Sequence, residues 1–353
     1  MSTTIQAIRV AVARVDGNVQ DAVRQAMELA HWKNYLKAGK PTALKVNLGW
    51  DLFIPGSITS PWVVEGVIAT ISGWVGPIYL VEADQVLENI EKAYQKSGLP
   101  EICEKYDVQW VNMSRSPAKK IPVPGGRVFQ TLEIPEILLE TQLITIPVMK
   151  THAKTQITGA IKNQWGCISK LRHNFHLVLT DALADINSVV LPSFAVMDAT
   201  VGLEGNGPKS GHPRVIDRVL ASPDIVAIDT VQGHMMGLNP ATISHVQACA
   251  ERGLGVGNFD RIELVGESDA RQANFKFVRA KHNLVSKIEE YLRRSRLRRL
   301  VFDTPVFLLM LIGAKFWYFL WLYLFNGKRH WKTILDHPLY GKEWSEVRAT
   351  VRK

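Results

Sequence analysis

Residues 143–163 read Leu143-Ile-Thr-Ile-Pro147-Val148-Met-Lys150-Thr-His152-Ala-Lys-Thr-Gln-Ile-Thr158-Gly-Ala-Ile-Lys162-Asn163. A nearly continuous apolar run of this kind predicts a strand buried on both faces, at the centre of an α/β sheet. Pro147 weakens that reading near the end of 143–148, because it donates no ladder hydrogen bond. The run gives way at once to three lysines, a histidine, three threonines and an asparagine within 150–163. Thr158, Lys162 and Trp165 fall at i, i+4 and i+7, and so share one face of a following helix. Cations and hydroxyls beside a helix N-terminus favour an anionic ligand, a carboxylate or a phosphate. The plainer alternative is a solvated loop with ordinary surface lysines.

Working outward, strand-like segments at 8–15, 43–48, 78–83, 108–113, 194–197 and 261–265 alternate with helical spacing at 19–38, 61–71, 88–97, 177–190 and 241–252. Such alternation predicts an α/β fold: a mostly parallel sheet with flanking helices. The Pro-Gly-Gly at 124–126 turns a hairpin inside an irregular excursion over 114–140. Ligands of these sheets gather where strands end. Lys45 and Asn47 close one strand, Glu82 and Asp84 another, Lys150 to His152 a third, and Asp198 with Thr200 a fourth.

Several of these stretches together carry a resemblance. Lys45-Val-Asn47-Leu, Lys150-Thr-His152, Thr158-Gly-Ala-Ile-Lys162-Asn163, Met197-Asp198-Ala with Glu204-Gly205-Asn-Gly207-Pro208, and Ala221-Ser-Pro-Asp224-Ile-Val-Ala-Ile-Asp229 resemble the DUF362 family, in order across residues 8–265. Some members carry ferredoxin-like iron–sulfur modules, which implies redox work. This chain departs from them, having no clustered cysteines. A more distant similarity to the lactate-racemase-type fold implies two lobes around a cleft, without a matching cofactor motif here.

Other motifs fail. Gly202 to Ser210 is a near miss for a phosphate-binding loop, but Pro208 interrupts the Gly-Lys step. Gly253-Leu-Gly255-Val-Gly257 follows a helix instead of a strand, unlike a dinucleotide fingerprint. His173 and His176 permit a metal pair, with a surface role as the plainer reading. Asp224 reads as a helix cap, whereas Asp229 needs a partner if buried. Cys103, Cys167 and Cys249 are scattered, so no zinc site or iron–sulfur cluster is expected from this chain; a divalent metal remains compatible.

The formal charge of +9 is confined to the C-terminal part: +4 in residues 281–304, Lys315, and +4 in 328–353. Residues 1–280 are neutral, which argues against a nucleic-acid partner. The basic stretches flank 305–325, PVFLLMLIGAKFWYFLWLYLF. As a helix it is about 31 Å long, near a bilayer core. Its aliphatic and phenyl side chains contribute roughly −4 to −7 kcal/mol at mid-membrane against about +3 for Lys315. Both flanks are basic and the aromatics lie inside the run, which favours an in-plane or re-entrant anchor over a single span. A buried core helix is the alternative. No secretory signal is read at the N-terminus. The expected organisation is an α/β domain over 1–280, a basic linker helix over 281–304, the membrane-associated segment over 305–325 and a basic tail over 326–353, with the body on the cytoplasmic side.

Two functions follow. The first is an enzyme at the membrane acting on an anionic small molecule, lipid-linked in one version. Lys45, Asn47, Lys150, Thr158, Lys162, Asn163 and Glu204 would hold the ligand. His152 would be the acid/base, with Asp198 and Asp229 in catalytic roles orienting it or binding metal. The second is a non-catalytic membrane-tethered subunit or assembly factor that uses the same cleft for a partner or cofactor. A redox or membrane protein is a compatible partner in either case, alongside membrane lipids.

Overall fold

The computed structural model describes residues 8–49, 51–85, 89–168, 172–208, 211–280, 291–293, 295, 298–302, 304–320 and 327–352. In chain order, β1 (Ile8–Arg14) leads into α1 (Val19–Leu29), whose first amides are capped by Asn18 Oδ1, and then β2 (Thr42–Lys45). After α2 (Pro61–Ile71) come β3 (Ile78–Glu82), α3 (Ile90–Gln95), α4 (Leu99–Lys105) and β4 (Gln109–Asn112). The hairpin β5 (Ala118–Pro122) and β6 (Thr131–Pro135) turns at the expected Pro-Gly-Gly. Then follow α5 (Glu136–Glu140), β7 (Gln142–Thr145), β8 (Val148–His152), β9 (Gln156–Thr158), α6 (Ala160–Asn163) and α7 (Leu179–Val189). The remaining body elements are β10 (Phe194–Glu204), β11 (His212–Ser222), α8 (Ile225–Met235), α9 (Ser244–Glu251) and β12 (Ile262–Gly266).

Ten strands form one sheet in the order β12-β1-β11-β10-β7-β2-β3-β4, with β8 paired to β10 and β9. Most pairings are parallel; β11 runs antiparallel to both β1 and β10. Helices cover both faces, as a parallel-rich sheet requires. One core packs α1 and α2 through Val23, Met27, Val67 and Ile68, and another packs α7, α8 and α9 through Leu183, Ile228 and Val246. From β2 the chain moves outward to β3 and β4, then returns to place β7 on β2's other side. That reversal is a topological switch point, and it opens at the carboxyl end of β2.

Three local expectations are corrected. The run 143–148 is two strands: β7 ends at Thr145, and β8 begins at Val148 on a different stretch of β10. Pro147 marks the break, since it lacks the amide a continuous ladder needs; its carbonyl accepts the Asp198 amide at 2.8 Å. Thr158 therefore lies in β9, opposite Lys150, and not on a helix face with Lys162. The strand expected at 194–197 continues to Glu204 and turns back as β11, a long hairpin.

Of the apolar segment, Pro305–Leu320 is helical, and 321–325 lie outside the described residues. No helix among the described residues is long and apolar enough to cross a membrane. Residues after it rejoin the body. Helices Gly327–Leu335 and Gly341–Arg352 and the turn between them bury Trp331, Tyr340 and Trp344 in the core of α1 and α2, with Trp344 edge-on to Trp62 at 5.0 Å and to Phe53 at 5.8 Å. The basic tail is thus partly core, so removal of 293–353 would strip the body of buried aromatics.

Candidate functional site

The switch point brings together polar groups from four strand ends. Lys45, 1% exposed, pairs with Glu82 across the ends of β2 and β3 at 2.8 Å, and also donates to the Val46 carbonyl. Glu82 in turn accepts the Leu48 and Ala83 amides, so this buried charge pair is fully engaged. Gly166 passes so close that a Cβ there would lie 2.7 Å from Glu82 Oε1 and 2.9 Å from Lys45 Nζ. Asn47 is half-buried and bonds Asn163 Oδ1 through Nδ2, while its Oδ1 accepts Lys150 Nζ at 2.8 Å. Lys150 also donates to the Ser57 carbonyl, and Asn163 donates to the Lys45 carbonyl and to Thr145 Oγ1.

Two carboxylates hold the scaffold under this cluster. Asp198 is buried; it accepts the Ser60 amide at the start of α2 and both the amide and hydroxyl of Thr200. Burial pushes it above the ordinary carboxylate range, opposed by its donors at Ser60 and Thr200. Asp229, within α8, caps α6 by accepting the Ala160 and Ile161 amides at 2.6 and 3.0 Å. Burial pushes it up to about 7 against those two donors. The residue before α6 has to be glycine, because a Cβ on Gly159 would meet Asp229 Oδ1 at 2.2 Å.

Above this floor stands His152, half-buried at the end of β8. Its Nδ1 accepts the Lys154 amide at 3.0 Å and the Thr155 amide at 3.3 Å. An Nδ1 that accepts is unprotonated, so the neutral ring carries its proton on Nε2. Burial, with Lys162, His176, Lys150 and Lys154 around it, holds the ring's pKa well below the usual 6.5. Lys162, Lys154 and His176 are half-buried; Lys154 Nζ lies 3.4 Å from His176 Nδ1, and His176 stacks on Trp165. The hydroxyl of Thr158 is buried without a hydrogen-bond partner among the described residues.

Lys45, Asn47, Lys150 and Asn163 therefore meet directly, and Asp198 is joined to them through the loop carrying Ser57 and Ser60. Glu204 ends β10 beside Lys150 and Thr151 of β8, with its carboxylate paired with Arg214 at 2.8 Å and accepting the Val278 amide. His152 Nδ1 is held by backbone amides, while Asp198 accepts the Ser60 amide and Asp229 the amides at the start of α6. Asp224 is the cap it was read to be, accepting Val226 and Ala227 amides. Sequence reading missed Glu82 as the partner of Lys45, and Lys154 and His176 as neighbours of His152. The charge of Lys45 on a strand otherwise buried was the available signal for the first. No three or more His, Cys, Asp or Glu side chains gather as a metal site among the described residues.

A sheet switch point with this polar floor defines an α/β protein with its candidate site at the carboxyl edge of β2. Residues 42–233 match the family described as Domain of unknown function (DUF362), and the chain belongs to that family. It is similar to the thylakoid-associated protein sll1697 of Synechocystis sp., with 26% identity over 256 residues, covering 67% of this chain and 76% of that protein. Among solved structures, the lactate racemase apoprotein from Thermoanaerobacterium thermosaccharolyticum is similar at 10% identity and a TM-score of 0.38, over 83% of this chain and 91% of that one.

Proposed function

We propose that this is a membrane-attached protein whose switch-point site binds an anionic small molecule, a carboxylate or a phosphate. The observation that carries the reading is the crowding of Lys150, Lys154, Lys162 and His176 around one imidazole held neutral, with its Nδ1 occupied by backbone amides. In that state His152 offers an Nε2–H to an anion, and acts as a hydrogen-bond donor instead of a general base. Lys162 and Lys154 supply the charge, and Thr158 a hydroxyl. Lys45 and Lys150, nearly inaccessible and bonded internally, position Asn47 and the loop above them. Membrane attachment draws support from the thylakoid-associated relative and from the exposed apolar helix; a cytoplasmic-side body fits the basic flanks.

The commitment of Asp198 and Asp229 to backbone amides favours a second reading, a non-catalytic subunit that uses the same cleft. The first reading requires the anion. Calorimetric titration of the full chain with inorganic phosphate and with malonate tests it. Lys162→Ala should weaken binding of at least one of them roughly tenfold or more, the scale of a lost charge-assisted hydrogen bond, while exposed Lys33→Ala does not. Equal affinity in Lys162→Ala and the parent overturns the proposal.

A further inference from the structure

The helix Pro305–Leu320 follows Val301 and Phe302, which are 8% and 7% exposed. The chain is back in the main core by Trp331 and Ile334, at 4% and 1%. Trp331 stands edge-on to Phe53 at 5.5 Å, and Tyr340 Oη donates to Asp217 Oδ1 at 2.6 Å. The downstream end of the excursion is therefore fixed in the folded body. Its middle is fixed as well: Lys315 Nζ lies 3.5 Å from buried Asp51, in the loop that follows Asn47 and also supplies Ser57 and Ser60 to the site.

On the outer side, Leu309, Ile312 and Phe316 are 68%, 58% and 61% exposed, at the i, i+3, i+7 spacing of a single stripe. Val306 and Phe319 extend it at 43% and 48%. Basic residues lie at both ends of this helix: Arg329 and Lys332 are exposed beyond it, and five arginines occupy 293–299 before it. Arg293 itself is turned inward over the Phe302 ring at 4.0 Å. An apolar stripe between positive ends matches a lipid leaflet with negative headgroups.

Resting on the membrane-attached reading above, we infer that this helix is a monotopic docking face. It lies in the plane of one anionic leaflet, apolar stripe inward, and both its ends stay on the side of the body. The lipid surface is the occupant, and the loop from Asn47 to Ser60 is its link to the anion site.

Vesicle flotation of the full chain tests this, with phosphatidylcholine alone and with phosphatidylcholine–phosphatidylglycerol, on protein carrying a C-terminal protease-cleavable tag. Binding should favour the anionic vesicles and fall severalfold in about 0.5 M salt, where the Debye length is under about 5 Å. Ile312→Glu with Phe316→Glu should reduce it about tenfold or more with unchanged thermal unfolding, since both side chains face outward. Protease added outside should remove the tag as readily as it cuts the body. Tight, salt-resistant binding with the tag protected would replace the docking face by a span and leave membrane attachment standing. No flotation on either vesicle would remove the membrane reading itself. A dimer in solution that the double substitution dissociates, with no flotation, would assign the stripe to a second copy and overturn the inference.

Discussion

At the scale of single residues, the site depends on how charges are distributed between scaffold and surface. That polar side chains from 45–47, 150–152, 158–163 and 198 would gather was legible, because parallel strands all end at one edge. Which of them would face a ligand was not. Lys45 is consumed by Glu82, and that pairing depends on the β2–β3 register, which no local pattern encodes. His152 reads as an acid/base from its ordinary pKa alone; only the fold reveals Lys162 and His176 beside it. Its folded pKa lies below the unfolded value, so the unfolded chain takes up the proton first as pH falls. The associated stability is present above about 6.5 and lost below it. Lys162→Ala removes the largest single charge acting on the ring after burial itself, so His152 should titrate at higher pH in that variant. An NMR pH titration of the imidazole reads this directly, and an unchanged or lower midpoint would detach Lys162 from the site.

At the scale of elements, the apolar run at 143–148 was correctly placed at the sheet centre, since β7 lies between β10 and β2. Its division was signalled by Pro147, whose missing amide ends one ladder and lets the chain step sideways along β10. The β10–β11 hairpin was harder to see, because Gly202, Gly205 and Gly207 resemble loop glycines. Gly202 is instead in β10, where a side chain would collide with Ile216 Cδ1 at 2.7 Å and the Met149 carbonyl at 2.7 Å. The final helices were masked by their charge: a stretch holding seven Lys/Arg looks like a solvated tail, yet Trp331, Tyr340 and Trp344 carry its packing. Trp344→Ala should therefore cost about 3–5 kcal/mol in denaturant unfolding, the usual loss for a fully buried large aromatic. A change under about 0.5 kcal/mol, typical of surface sites, would place these helices outside the core.

At the scale of the whole molecule, one α/β body carries the proposed anion site at its sheet switch point and an apolar helix after which the chain rejoins the core. The loop between Asn47 and Ser60 touches both: it meets Lys150 through Ser57, Asp198 through Ser60 and Lys315 through Asp51. Neutral charge over 1–280 and basic charge around the helix divide the chain into a neutral α/β part, which holds the proposed site, and a basic part around the apolar helix. The central claim is the location of the anion, and an anomalous-scattering oxyanion locates it without assuming a reaction. Crystals of the full chain soaked in selenate should show an anomalous peak within hydrogen-bonding distance of His152 Nε2 and Lys162 Nζ, at the carboxyl end of β2. Peaks confined to exposed basic residues such as Arg329 and Lys332, with none beside His152, would contradict the account.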